Sequence, residues 1–196
     1  MSTDTDTDTD IEERYVVRAV RAGEWPALRE LRLAALRDPV AHLAFLETYE
    51  QAVARPEAYW RERAERGAEG ASGARQTIAQ GPDGQWVGTV TVVLEEAGTT
   101  DWAGFTVERR QGHVVGVFMR PEHRGCGLTE LLFDEALGWA WRQGVERVRL
   151  IVHEDNGRAR ALYRRLGFVP SGVRVPLGRD GGDSGESELE YVLERP

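Results

Sequence analysis

Residues 113–142 read HVVGVFMRPEHRGCGLTELLFDEALGWAWR. The first seven, ending at Met119, form an apolar run of strand length. They lead into a glycine loop, Arg124-Gly125-Cys126-Gly127-Leu128-Thr129, which opens a long amphipathic helix. Glycines at such a junction let the backbone turn tightly with successive N–H groups pointing outward, and the helix behind adds a positive dipole end. The junction is therefore suited to a phosphate or pyrophosphate, with Arg124 able to add a paired contact to phosphate oxygens. The plain alternative is that Gly125 and Gly127 only make a tight turn.

Working outward, VRLIV (148–152) is a strand apolar but for Arg149, HEDN a turn, and GRARALYRRLGF (157–168) a short helix closed by Gly167. SGVRVPL (171–177) and SELEYVL (187–193) read as two more strands around an acidic glycine-rich loop. Upstream, ARQTIAQ (74–80) and QWVGTVTVVLEE (85–96) flank a Pro-Asp-Gly turn and predict an antiparallel hairpin. Tyr15 to Val20 suits a strand. From Trp25 a helix is expected, with Leu28, Leu31, Leu33 and Leu36 as its stripe, Pro26 in its first turn and Pro39 beyond its end. Residues 43–67 read as a second helical region broken near Pro56. The order is that of an α/β chain with a mixed sheet, helices on both faces, and one right-handed parallel crossover from Met119 to about Val148.

Composition narrows the function. The 196 residues are 41% apolar and 30% charged, an ordinary globular balance that favours one domain over 12–196 behind a disordered Thr-Asp tail at 1–11. No apolar stretch approaches a membrane span, and the opening MSTDTDTDTD has no basic or apolar leader, so the expectation is a cytoplasmic protein. The net charge is −8, half of it from the four tail aspartates, which argues against a nucleic-acid binder. All 25 basic residues are arginine, so lysine Schiff-base chemistry and the phosphate-loop lysine are excluded. A single cysteine, Cys126, excludes a disulfide framework, and the four histidines lack metal spacing.

A dinucleotide-binding fold fits the loop poorly, because Glu130 stands where the third glycine belongs and too little chain follows. Asn156, Ala159 and Tyr163 lie at i, i+3 and i+7, on one face of a helix that Asn156 is suited to cap. Leu162 and Leu166 adjoin that face on the core side.

Val117-Phe118-Met119-Arg120-Pro121, followed by the loop from Arg124 to Thr129, resembles the acetyl-coenzyme A loop of the GNAT family of N-acetyltransferases. Asn156-x-x-Ala159-x-x-Leu162-Tyr163 with Leu166-Gly167-Phe168 is similar to that family's second motif. Thr129 departs from the glycine or alanine usual there. The resemblance implies a GNAT-like acyl-CoA N-acyltransferase fold, in which the parallel strands Val114–Met119 and Val148–Val152 splay and the pantetheine arm lies between them. It further implies acetyl-CoA as co-substrate, with no metal, and direct transfer of the acetyl group to an amine acceptor. Backbone around Val117, Phe118 and Met119 would contact the arm and polarise the thioester carbonyl. The amides from Gly125 through Cys126, Gly127 and Leu128 to Thr129 would hold the pyrophosphate. Asn156 and Ala159 would flank the cofactor, and Tyr163 would protonate the departing thiolate.

An alkyl amine arrives mostly protonated, so a base is needed, and His113, Glu108 and Glu154 are the candidates. The acceptor pocket is expected from the early helices and the terminal hairpin, with Trp25, His42, Phe45, Tyr49, Trp60, Glu47 and Glu50 at hand. Arg158 is expected to reach cofactor phosphates, the rest of its helix's arginines and His123 to face solvent, and Gly182-Asp183-Ser184-Gly185 to be a hairpin loop. A non-catalytic acyl-CoA-binding or regulatory module is the alternative reading.

Overall fold

Runs rich in β-branched residues become strands and leucine–alanine stripes become helices in a computed structural model that describes residues 14–101, 103–176 and 187–196. The strands are β1 (Val16–Ala19), β2 (Ala74–Gln80), β3 (Trp86–Glu95), β4 (Gln111–Met119), β5 (Arg147–His153), β6 (Val169–Pro176) and β7 (Ser187–Glu194). The helices are α1 (Trp25–Leu36), α2 (Tyr49–Val53), α3 (Glu57–Gly67), α4 (Leu128–Arg142) and α5 (Gly157–Arg165). One seven-stranded sheet runs β1-β2-β3-β4-β5-β7-β6. Its pairs are antiparallel except β4 with β5, which is the predicted parallel crossover. The Thr-Asp tail and the acidic loop before Ser187 lie outside the described residues.

Each face of the sheet carries its own core. α4 and α5 cover one face, where Leu132, Phe133, Ala136 and Tyr163 pack with Val90, Val114, Val148 and Leu150. On the opposite face α1 and α3 bring Leu28, Leu31 and Trp60 against Ile78 and Phe118. Pro26 sits in the first turn of α1, as expected.

The expected helical region at 43–67 is corrected. Only Ala41–Leu43 make a short 3-10 turn, the chain then runs irregularly to Thr48, and helix resumes as α2 and α3. Thr48 restarts it as a cap, its hydroxyl accepting from the Gln51 N–H at 3.3 Å, while the Gln51 side chain accepts from the Thr48 N–H at 2.8 Å. Pro56, whose ring bars an interior helical position, falls at the N-cap of α3. The irregular stretch leaves residues 38–46 free to wall the site.

Two features of the middle strands open the sheet. The β4–β5 ladder has three pairs, Gly112–Val148, His113–Arg149 and Val114–Leu150, although both strands continue beyond them. On its other side β4 bulges: Phe118 faces Thr89 while Val115 faces Thr91, so Gly116 and Val117 together oppose Val90. Gly116 has φ +63°, a left-handed conformation that glycine adopts without penalty.

Candidate active site

Loop and helix supply the first wall. Gly125 (φ +77°) and Gly127 (φ +91°) both take left-handed conformations, and Gly127 is the N-cap of α4. The Leu131 N–H bonds back to the Gly127 carbonyl at 3.2 Å, so the amides of Leu128, Thr129 and Glu130 form the open first turn of the helix. A Cβ built on Gly125 would meet nothing within 4 Å, so its backbone faces open space. That space is the larger of two adjoining cavities, about 320 Å³. Val117, Phe118, Met119, Arg124, Gly125 and Thr129 line it from one side, Asn156, Arg158, Ala159 and Tyr163 from α5, and Asp38, Val40, Ala41, Ala44 and Phe45 from above. Cys126, Gly127 and Leu128 are off this lining. Leu128 is wholly buried in the core.

Charge at the mouth is uneven. Arg124 donates through Nε to the Met119 carbonyl at 2.8 Å and through Nη2 to Asp38, so its guanidinium is already fixed against the chain. Burial opposes ionisation of Asp38, yet the Val40 N–H and Arg124 hold its carboxyl below the usual range. Arg158 is lowered by burial and by the charge of Arg124, with Asp38 pulling the other way. Two guanidinium groups thus share one carboxylate, and the surplus positive charge together with the amide cradle suits a polyphosphate. Of the remaining arginines of α5, Arg160 is not solvated as expected: it donates to the Glu154 carbonyl at 2.7 Å and the Tyr191 hydroxyl at 3.3 Å. Nor is His123, whose Nδ1 lies 2.9 Å from the Tyr15 hydroxyl.

Asn156 caps α5, its Oδ1 accepting the Ala159 N–H at 3.2 Å, as its position predicts. Two turns on, Tyr163 is buried against Phe133 and Phe168, with ring centroids 5.9 and 6.2 Å away. Burial pushes its phenol pKa up, so it holds its proton well past neutral pH. Its side chain borders both cavities.

The smaller cavity, about 230 Å³, lies where β4 and β5 part. Leu43, Leu46, Val115, Ile151 and Val152 line it with Tyr163, and two further ionisable groups reach it, His113 and Glu188. The imidazole Nδ1 of His113 is 2.8 Å from Glu95 Oε1. Glu95 also accepts from Arg149 Nε and Nη2 at 2.9 and 2.8 Å and from Gln111 at 2.9 Å. Burial works against its ionisation, but His113 and Arg149 prevail and lower its pKa to about 2. Glu188 is raised by burial, with His153 acting in the opposite direction.

Of the three expected bases, only His113 lines a cavity. Glu154 is tied to Arg174 and to the Ser187 N–H, and Glu108 is an exposed loop residue. The expected acceptor residues are likewise mostly elsewhere. Phe45 lines the larger cavity, but Trp60 is core, Glu47 pairs with Arg32 and Arg55, and Trp25, His42, Tyr49 and Glu50 line neither cavity. Glu188, Asp38 and Gly116 are the residues that sequence reasoning missed. Gly116 alone had a local signal, a glycine inside a strand pattern.

The family model described as Acetyltransferase (GNAT) family matches residues 25–168. A mycothiol acetyltransferase of Beutenbergia cavernae is 44% identical over 66 residues, 34% of this chain and 22% of that one. A putative ribosomal protein bS18 alanine N-acetyltransferase of Bacillus subtilis is 28% identical over 93 residues, 47% of this chain and 62% of its own. The match thus spans about a fifth of the first relative and under two thirds of the second. Among solved structures, the PaiA N-acetyltransferase of Thermoplasma acidophilum, in complex with coenzyme A, superposes with a TM-score of 0.66 at 17% identity. That alignment covers 92% of this chain and 99% of the other, and it shows a shared fold.

Proposed function

The chain belongs to the GNAT family of acetyltransferases, and from that premise we propose that it moves the acetyl group of acetyl-CoA directly onto an amine. The observation that carries this reading is the opening of the β4–β5 ladder beyond Val114–Leu150, between the glycine loop and Tyr163. The coenzyme A complex of the Thermoplasma neighbour adds support for an acyl-CoA ligand. Acetyl-CoA supplies an activated acyl group, and the remaining tasks fall to the chain's own residues.

The amides at the start of α4, with Arg158 beside them, bind the diphosphate. Arg124, fixed by Asp38 and the Met119 carbonyl, braces the loop and adds positive charge. The bulge at Gly116 and Val117 turns backbone N–H groups out of the β3 ladder, where they orient and polarise the thioester carbonyl. Asn156 and Ala159 shape the α5 wall, Ala159 leaving room for the ligand to approach. Tyr163 gives its proton to the departing thiolate. A phenol pKa of about 10 against about 8.5 for a thiol makes that transfer a modest help, and burial penalises phenolate and thiolate alike. The single cysteine agrees with a reducing, cytoplasmic setting.

Release of free thiol from acetyl-CoA in the presence of a panel of amines tests the reading. Amine-dependent release is expected. Acetyl-CoA binding without release for any amine would favour a non-catalytic acyl-CoA-binding module.

A further inference from the structure

The smaller cavity carries a second conclusion, which rests on the acetyl-transfer reading. We propose that it takes a primary ammonium borne on an apolar skeleton, that Glu188 pairs with the ammonium, and that His113, held by Glu95, removes its proton.

The walls state the substrate class. Leu43, Leu46, Val115, Ile151 and Val152 offer apolar surface, and among the described residues no arginine lines the cavity. A carboxylate or phosphate on the acceptor would meet no arginine among the described lining residues and would face Glu188 instead. Glu188 is a half-buried carboxyl that an ammonium would complement. A volume of about 230 Å³ falls below the range of roughly 300–1,000 Å³ typical of drug-sized ligands, so the acceptor is small or enters by one end.

The base is set by its partners. Glu95 stays ionised and can only accept, so the proton of the His113 imidazole sits on Nδ1 and the lone pair on Nε2. Glu95 cannot turn away, because Arg149 grips it through two nitrogens while also pairing with Asp101 at 2.8 Å and Glu190 at 3.2 Å. His113, Glu95 and Arg149 have side-chain exposures of 6%, 12% and 7%, so water does not loosen the arrangement. Among the described residues the charged groups around His113 are Glu95 and Arg149, with Asp101 and Glu190 behind Arg149, and Glu188, on which His153 acts, also on the cavity wall.

Protons and electrons balance. His113 Nε2 takes one proton from the ammonium, and the freed lone pair forms the C–N bond. As the C–S bond breaks, its electron pair stays on sulfur, which takes the proton of Tyr163. The second nitrogen proton returns to the Tyr163 oxygen, and His113 releases its proton to water. The products are an amide, a free thiol and one proton.

The test compares 2-phenylethylamine, glutamate and 2,2,2-trifluoroethylamine, the last reaching the site already unprotonated at neutral pH. Wild type should acetylate 2-phenylethylamine with kcat/KM at least about tenfold above that for glutamate. His113→Gln should lower kcat for 2-phenylethylamine by about 10²-fold at pH 7 yet keep nearly the wild-type rate with trifluoroethylamine. Glu95→Gln should follow the same split to a lesser degree. Glu188→Gln should raise KM for 2-phenylethylamine about tenfold with kcat retained. Calorimetry should find acetyl-CoA binding unchanged in all three variants. Preference for glutamate, acetylation of none of the amines while acetyl-CoA binds, or equal loss on both apolar amines in His113→Gln would overturn the proposal. If wild type itself bound no acetyl-CoA, the acetyl-transfer reading would fall first.

Discussion

Val114 and Leu150 form the last rung of the parallel ladder between β4 and β5. Past that rung β4 has Val115 to Met119 still to run and β5 has Ile151 to His153, with no further pair between them. Two central strands of a sheet separate only if something else occupies their backbone groups, since unpaired buried N–H and C=O groups are costly. The bulge at Gly116, the loop at Gly125–Thr129 and the phenol of Tyr163 all border the opening. The following expectations come from that geometry.

Tyr163→Phe keeps the ring packed against Phe133 and Phe168 and removes only the hydroxyl. Steady-state kinetics should show kcat reduced by about 10–10²-fold, with acetyl-CoA affinity close to wild type. Because burial raises the phenol pKa, the loss should be uniform from pH 6 to 9, where the wild-type hydroxyl stays protonated. Parallel loss of affinity and rate would make Tyr163 a packing residue.

Gly116→Ala tests the bulge. The added methyl would meet only the Thr91 hydroxyl, at 3.8 Å, so the cost is conformational. Holding alanine at a left-handed φ costs about 1–2 kcal/mol, a fall of roughly 2–8 °C in Tm for a chain of this size. KM for acetyl-CoA should rise as the bulge relaxes. An unchanged KM would mean that the bulge does not shape the binding edge.

Gly127→Glu places a carboxylate at the N-cap of α4, where φ is +91°. Strain and charge both act against a bound diphosphate, so titration with acetyl-CoA should give no measurable heat while far-ultraviolet circular dichroism stays native. Wild-type affinity in the folded variant would remove the loop from the site.

Glu95 links the site to acid stability. Its pKa is lowered from 4.5 to about 2 in the fold, so its contribution is full above about pH 4.5 and is lost as pH falls towards 2. Urea midpoints measured across that window should fall steeply for wild type and less steeply for Glu95→Gln. Arg149→Met should be costlier, about 3–5 kcal/mol, because it removes the one guanidinium that the buried carboxylates of Glu95, Asp101 and Glu190 share. A midpoint close to wild type would show that those carboxylates find other partners.

The sequence discloses the site unevenly, for physical reasons. The glycine loop and the Asn156–Tyr163 face are local patterns: tight turns need glycine, and a helix aligns residues three, four and seven apart. Both stand where those rules put them. The Asp38–Arg124 ion pair joins residues 86 apart, and Glu188 reaches its cavity only because β7 lies beside β5. Neither has a local signature. Residues 43–47 have a helical composition but form part of the wall, where their position between α1 and α2 overrides their propensity. Trp60 shows the converse: an aromatic that looked available for a ligand is 1% exposed in the α1–α3 core.

The central claim is that main-chain amides at the start of α4, beside the opening of the sheet, hold acetyl-CoA. Isothermal titration of the purified chain with acetyl-CoA measures this directly. The account predicts saturable heat at one ligand per chain, abolished by Gly127→Glu and preserved in Tyr163→Phe. The absence of heat with the wild-type chain, or the same heat with Gly127→Glu, would contradict it.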